Sequence, residues 1–388
     1  MREGDPLTLP PVPPPAPADH PRRDLLTAAL FVLALPVLAF VNPLGDRWQV
    51  QENRARADWP STLPLGTYAS RFEQAFNDRF GGRSLLLLID HAVVAGVFRT
   101  SPAANVLLGR EDWLYWLGED GRSLDRNFRG ALGIGTSELA SVASELKRRQ
   151  VFLGGKGIAY VVTIVPEKFT IYPEFLPAWV APGAWPTPLA RLAAMLEDKN
   201  IAYVDLDASL RSAKGPTLLY YRTDSHWNLL GASVGYEQIM LEVQRALPMG
   251  RLQSIVPPPH PAYVPGADRY SGDLARLIGV PSLYEEPDTA PFAKVLADAS
   301  ARCAKRVDDA TDPLVEAYRC DRPGLPSAIV YRDSMAIPLV PLLSENFSRV
   351  VYVSSRRMDP QLIARERPDV VIEEFVERSL LAPAYSPM

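Results

Sequence analysis

The chain has 388 residues, 47% of them hydrophobic and 22% charged, which is enough apolar material to bury a full core and excludes an overall disordered chain. A formal net charge of −4 and a pI near 5.7 exclude nucleic acid as a general surface partner, so any polyanion would need a local basic groove. That length and composition fit one large domain, or one domain with attachments.

Residues 1–23 form a proline-rich tail, with Pro10, Pro11, Pro13, Pro14, Pro15 and Pro17 in an extended, solvated stretch that cannot join a core. Residues 24–42 then read as a transmembrane signal anchor, because the uncharged run from Leu25 to Val41 has the length of a short membrane-spanning helix. A cleaved signal peptide is the competing reading. Against it stand the long leading polar region and the lack of an Ala-x-Ala site after the run. Arg22 and Arg23 on one side face Arg47, Arg54 and Arg56 on the other, so flanking charge orients the segment only weakly. Cys303 and Cys320 are expected to pair if the body is exported, stabilising it by roughly 3 kcal/mol; two unrelated buried thiols are the alternative. These features together predict a cytoplasmic tail and a body, 46–388, in the periplasm.

Residues 53–130 read as a lead-in region, with helices over 67–80 and 84–98 and two short strands around a turn at 106–116. Trp113, Tyr115 and Trp116 would serve either core packing or a sugar platform. From 136 onward helix and strand alternate, which predicts a mostly parallel sheet with helices on both faces. The helices are expected at 137–149, 188–199, 228–245 (with Asn228 as N-cap), 335–343 and 359–365; the strands at 158–165, 201–206, 327–331, 349–353 and 369–373. A proline-rich insertion, about 256–326, interrupts the alternation.

Asp224, His226 and Ser334 are the residue types of a serine acyl-transfer triad, in which a carboxylate orients an imidazole that takes the hydroxyl proton. Two residues apart in an extended segment, Asp224 and His226 would point to one side. Ser334 falls where a strand hands over to a helix, the edge at which parallel sheets bind ligands and where backbone N–H groups can meet an oxyanion. A structural histidine held by its neighbours is the competing reading of the Asp-x-His pair. The remaining histidines, His20, His91 and His260, lack metal-ligand spacing, which argues against a metallohydrolase. Gly154-Gly155-Lys156-Gly157 follows a helix and precedes a strand, the reverse of a phosphate loop, and reads as a turn. Glu373 and Glu374 are adjacent in a strand and face opposite ways, so they do not form a glycosidase pair; one is expected to order a surface or supporting arginine. No cofactor motif is present.

Several separated motifs resemble the SGNH-like periplasmic O-acetyltransferases of exopolysaccharide biosynthesis, typified by the AlgJ and AlgX proteins of alginate acetylation. They are Phe76-Asn77-Asp78-Arg79-Phe80, the Gly109 to Trp116 turn, Val165-Pro166-Glu167-Lys168, Ile171-Tyr172-Pro173-Glu174, the Thr223 to Asn228 block, Gly272-Asp273-Leu274-Ala275 and Pro368-Asp369-Val370-Val371. The resemblance implies a flavodoxin-like SGNH-hydrolase fold with a circularly permuted motif order, since Asp224 and His226 precede Ser334. It implies Ser334 as nucleophile, His226 as general acid and base, and Asp224 as its orienting partner. A polysaccharide acceptor and an integral-membrane MBOAT-type acyltransferase as acetyl donor follow from the same resemblance. Departures are Arg332-Asp333-Ser334 in place of Gly-Asp-Ser, and a single residue between Asp224 and His226; of the oxyanion donors only the Ser334 amide is placed. The alternatives are an SGNH acetyl esterase acting on a cell-surface glycan, and a non-catalytic polysaccharide-binding or assembly component.

Overall fold

A computed structural model of the protein describes residues 57–60, 65–129, 134–181, 183, 186–258, 269–287, 303–307 and 312–380, with residues 25, 26, 28–30 and 32 of the N-terminal apolar run. The proline-rich tail and most of the expected anchor lie outside the described residues. Among the described residues no helix is long and apolar enough to cross a membrane. The chain divides into two compact units, Met1–Leu88 and Ile89–Met388.

In the first unit, helix α1 (Leu65–Arg79) carries Tyr68, Phe72 and Phe76 at four-residue spacing, their rings stacked at 6.5 and 6.4 Å. Asp78 accepts the Ala57 amide at 2.8 Å, and Arg79 lies over the Trp59 ring. Helix α2 (Arg83–Gly96) begins in this unit and ends in the second.

The second unit starts with the expected hairpin, β1 (Val106–Leu108) and β2 (Leu114–Trp116). Trp113 and Tyr115 are buried, and Trp113 stacks on Phe175 at 4.5 Å, so these two serve the core. Helix α3 (Thr136–Gly154), the turn through Gly157 and strand β3 (Ala159–Val165) follow as the pattern predicts. Next come helix α4 (Pro188–Asp198) and strand β4 (Tyr203–Asp205). The predicted strand at 201–206 is cut short because Asp205 caps a further helix, α5 (Leu206–Ala213), its carboxylate accepting the Asp207 amide at 3.0 Å. Helix α6 (Leu229–Ala246) has Asn228 as its N-cap, the side chain accepting from Leu230 and Gly231 at 3.0 and 3.1 Å.

Strands β5 (Arg269–Tyr270) and β6 (Glu286–Pro287) pair with each other around helix α7 (Asp273–Leu277). The proline-rich stretch also supplies β7 (Lys305–Val307) and β8 (Val315–Arg319), which add antiparallel to the main sheet. Its C-terminal part is therefore a piece of the sheet rather than an excursion from it. Cys303 and Cys320 are disulfide-bonded at that edge. Strands β9 (Ser327–Tyr331), β10 (Arg349–Val353) and β11 (Val370–Val376) complete a seven-stranded sheet of order β4-β3-β11-β9-β10-β8-β7, with helix α8 (Pro360–Glu366) before β11. The pairs β4/β3, β3/β11, β11/β9 and β9/β10 are parallel.

Two cores flank the sheet. One packs α5, α6 and the segment after β9; the other packs α3, α4 and α8. Alternation decides which strand residue serves which: Val370, Ile372 and Val376 join the first core, Val371 and Phe375 the second. Glu373 and Glu374 accordingly face opposite sides. Glu373 binds Arg149 of α3 at 2.7 Å and Tyr160 of β3, so the arginine it orders is a fully buried one. The segment after β9 is a 3₁₀ helix, Ser334–Leu339, followed by one α-helical turn, Val340–Leu343. A single α-helix over 335–343 is prevented because Pro338 and Pro341 each remove an amide donor.

Candidate active site

The carboxyl ends of β3, β11 and β9 form one edge of the sheet, and the chain segments leaving them carry Glu167, Arg378 and Ser334. Ser334 opens the 3₁₀ helix under control of its neighbour. Asp333 accepts the Met335 amide at 2.8 Å and the Val376 amide at 2.8 Å, and donates its own amide to Glu374 at 3.2 Å. The serine turn is thus pinned to the end of the adjacent strand.

Asp224 and His226 arrive on the loop before α6. The sequence pattern suggested an extended segment with both side chains on one side; the loop is instead a turn closed by Asp224 itself, whose Oδ1 accepts the His226 amide at 3.0 Å. That turn brings His226 Nδ1 to the same oxygen at 2.6 Å. Nδ1 is then the donor to the carboxylate, which leaves Nε2 as acceptor for the Ser334 hydroxyl at 2.9 Å across 108 residues of chain. Trp227 locks the two segments together, its indole N–H donating to the Met335 carbonyl at 2.8 Å. The structure therefore brings all three sequence-predicted residues into one hydrogen-bonded line.

Two further residues surround Asp224: Tyr270, which the sequence did not single out, and Asp273, which entered only within the Gly272-Asp273-Leu274-Ala275 motif. Tyr270 donates its hydroxyl to Oδ2 at 2.5 Å, and the Asp273 amide donates to the same atom at 2.9 Å. The Asp273 carboxylate accepts from Ser225 N at 2.7 Å and Oγ at 2.6 Å, and lies 3.6 Å from His226 Nδ1. Burial opposes the charge on Asp224, yet the His226 bond, the Tyr270 hydroxyl and the Asp273 amide hold its pKa well below the usual carboxylate range. Burial would push His226 down, but the hydrogen bond and charge of Asp224, with Asp273 behind it, raise it above the ordinary imidazole value. Asp273 is raised by burial and by the Asp224 charge.

Asp224, His226 and Asp273 also present three ligand atoms within 4.8 Å of one another, a possible cation site. The donor set fits a hydrogen-bonded relay better. Two ligands of one tetrahedral zinc sit about 3.3 Å apart, whereas Nδ1 and Oδ1 are at 2.6 Å. Both Asp224 oxygens already accept two hydrogen bonds each.

Gly272 shows why this corner needs glycine. A Cβ there would fall 2.5 Å from Asp224 N and closer still to the Thr223 carbonyl. Gly272→Ala is expected to displace the Asp224 loop and lower turnover by on the order of 10²-fold, with a reduced melting temperature; a kinetic assay beside a thermal melt checks both. The Gly272-Asp273-Leu274-Ala275 motif was the one sequence signal for this half of the site.

The mostly parallel sheet, the permuted order and the hydroxyl–imidazole–carboxylate line define an SGNH-hydrolase-like α/β protein. Residues 106–316, more than half of the chain, match the family described as SGNH hydrolase-like domain, acetyltransferase AlgX, and the chain belongs to that family. Asp224 and His226 fall inside the match, and Ser334 lies beyond it. Among curated proteins, the chain is 31% identical over 200 residues to a protein of Pseudomonas fluorescens named "Probable alginate O-acetylase AlgJ", covering 49% of this chain and 46% of that one. The protein of the same name from Pseudomonas aeruginosa is 27% identical over 242 residues, covering 60% and 55%. The chain thus spans about half the length of the curated relatives it matches. Among solved structures, Bacillus cereus PatB1 matches with a TM-score of 0.50 at 14% identity, over 73% of this chain and 99% of that one, a likeness of fold. The O-acetyltransferase domain of Pseudomonas putida AlgJ matches with a TM-score of 0.45 at 21% identity, over 72% and 92%.

Proposed function

We propose that this protein is a membrane-anchored O-acetyltransferase on the periplasmic side of a bacterial inner membrane, which accepts an acetyl group on Ser334 and passes it to hydroxyls of an exopolysaccharide. The observation that carries the reading is the Ser334–His226–Asp224 line, 2.9 and 2.6 Å, at the carboxyl edge of the sheet. In the first half-reaction Ser334 Oγ attacks the acetyl carbonyl and gives its proton to His226 Nε2. The carbonyl oxygen, negative in the tetrahedral intermediate, meets the Ser334 amide, which as first residue of the 3₁₀ helix has no acceptor within it. His226 returns the proton to the departing group. In the second half-reaction a sugar hydroxyl gives its proton to His226 and attacks the acyl-enzyme, and Ser334 Oγ recovers the proton.

The family membership and the alginate O-acetylase names of the relatives support the polysaccharide acceptor. Export is supported by the apolar run at 24–42 and by the Cys303–Cys320 disulfide, which suits an oxidising compartment. Acetyl-CoA is not expected there, so the donor partner in this reading is an MBOAT-type membrane acyltransferase. One observation favours hydrolysis as a second reading: the Nε2–Oγ pair is exposed, and water can reach it as an acceptor.

The test is intact-mass spectrometry of the purified protein incubated with an activated acetyl ester, wild type beside Ser334→Ala. A serine-dependent gain of one acetyl group is expected, and added oligosaccharide then separates transfer from hydrolysis. Folded wild-type protein that takes no label and turns over no ester would sink the reading and leave a binding or assembly role.

A further inference from the structure

The loop that carries Asp224 and His226 is held by two buried ions of opposite sign. Lys168, two residues beyond the last residue of the Val165-Pro166 step, is 2% exposed. Its ammonium donates to the main-chain carbonyls of Tyr221, Arg222 and Asp224 at 3.0, 2.9 and 2.5 Å. The faces of Trp113 and Tyr115 lie 5.6 and 5.5 Å from Nζ and shield it from solvent. Opposite it, Glu286 is 3% exposed and accepts the amides of Arg222 and Thr223 at 3.0 and 2.8 Å and the Thr223 hydroxyl at 2.6 Å. Carbonyls converge on the cation and amides on the anion, so the backbone from Tyr221 to Asp224 has little freedom left.

The donor count matters. An ammonium has three N–H groups and here meets three carbonyls; a neutral amine has two, and its lone pair would face the third oxygen. The clamp therefore needs the charged form. We propose that Lys168 is a positioning residue whose protonated ammonium keeps Asp224 and His226 aligned on Ser334, and whose loss of a proton sets the alkaline limit of activity. The proposal rests on the acyl-transfer reading of the site.

Burial pushes Lys168 down to about 8, against the charges that favour its protonation. Those charges are Glu286 on β6, Asp224 on the loop, Asp273 on α7 and Glu167 beside it in sequence. His226 must be neutral to accept the serine proton and is raised, so it sets the acid limb, and Lys168 sets the alkaline one.

Wild type, Lys168→Met and Lys168→Arg are compared for turnover of an activated acetyl ester from pH 5 to 10. In parallel, the far-downfield proton resonance of His226 Nδ1–H, which reports the Asp224 hydrogen bond, is followed by NMR. Lys168→Met is expected to lose on the order of 10²-fold in kcat with KM little changed, to lack the alkaline limb, and to have a weakened or absent Nδ1–H signal. Lys168→Arg restores part of the rate and moves the alkaline limb beyond the measured range. Wild-type turnover that stays level to pH 10, or a Lys168→Met protein that keeps the wild-type alkaline limb, overturns the proposal. If Lys168→Met does not fold, the wild-type and Lys168→Arg profiles decide. If folded wild type turns over no ester, the acyl-transfer reading has failed. The clamp is then judged on the Nδ1–H signal alone: loss in wild type above about pH 8 supports it, and persistence overturns it.

Discussion

Replacing Ser334 by Ala is expected to lower acetyl transfer and ester turnover by about 10⁴-fold or more, while the melting temperature stays within experimental scatter of wild type. The two halves of this result have separate causes. Chemically, Oγ is the atom that His226 Nε2 faces at 2.9 Å, and no second hydroxyl is bonded to Nε2 among the described residues. Mechanically, the serine turn is held by Asp333, through the amides of Met335 and Val376, and by the Trp227 indole on the Met335 carbonyl. None of those bonds uses Oγ. The truncation also leaves His226 Nε2 at an exposed position, where water replaces the lost partner, so no buried polar group is orphaned and the stability change stays within about 0.5 kcal/mol. Turnover assays with calorimetry on the same preparation check it. A variant that retains more than a tenth of wild-type activity would remove Ser334 from the mechanism.

Asp224→Asn is the second large effect. The carboxylate holds His226 in the tautomer with the proton on Nδ1, and in the proposed mechanism it stabilises the imidazolium that forms when Ser334 is deprotonated. An amide whose NH₂ faces Nδ1 would favour the opposite tautomer, and a loss on the order of 10⁴ in kcat is expected. The pH dependence gives the independent signature. His226 is raised by Asp224, so the base is protonated and inactive at low pH, and kcat/KM should climb with an apparent pKa above the ordinary imidazole value of about 6.5. Activity is present above that pKa and is lost as pH falls through it. Removing the Asp224 charge should shift the acid limb downward. An unchanged limb in Asp224→Asn would show that the titrating group is not His226.

The parts of this site that could be read from the chain were those fixed by local pattern. Ser334 followed an apolar run ending at Tyr331, and Asp224 and His226 lay just before a capped helix, so both ends of the relay were placed by strand and helix signals. Tyr270 gave no such signal, and Asp273 was marked only by the Gly272-Asp273-Leu274-Ala275 motif. They reach Asp224 from 46 and 49 residues away, out of a proline-rich stretch with no hydrophobic period, and only the assembled fold brings them there. Glu286 was missed, and Lys168 was marked only as the end of the Val165-Pro166-Glu167-Lys168 motif with no role, for the opposite reason: charged residues are usually read as solvated, and these two are buried against backbone. The sheet edge was missed because β7 reads Lys305-Arg306-Val307, the charged composition that protects an edge strand and resembles a loop.

The strand order carries a consequence for biogenesis. β11 is the last strand of the sheet in chain order, yet it lies third of seven, between β3 and β9. Its final residue, Val376, supplies one of the two amides that fix Asp333 beside Ser334. A chain emerging N-terminus first therefore exposes Asp224 and His226 long before a place for Ser334 exists. Until the central slot is filled the hydroxyl has no fixed relation to the imidazole. Immature or C-terminally clipped chains should then be chemically silent, and recovered ester turnover becomes a reporter of complete folding.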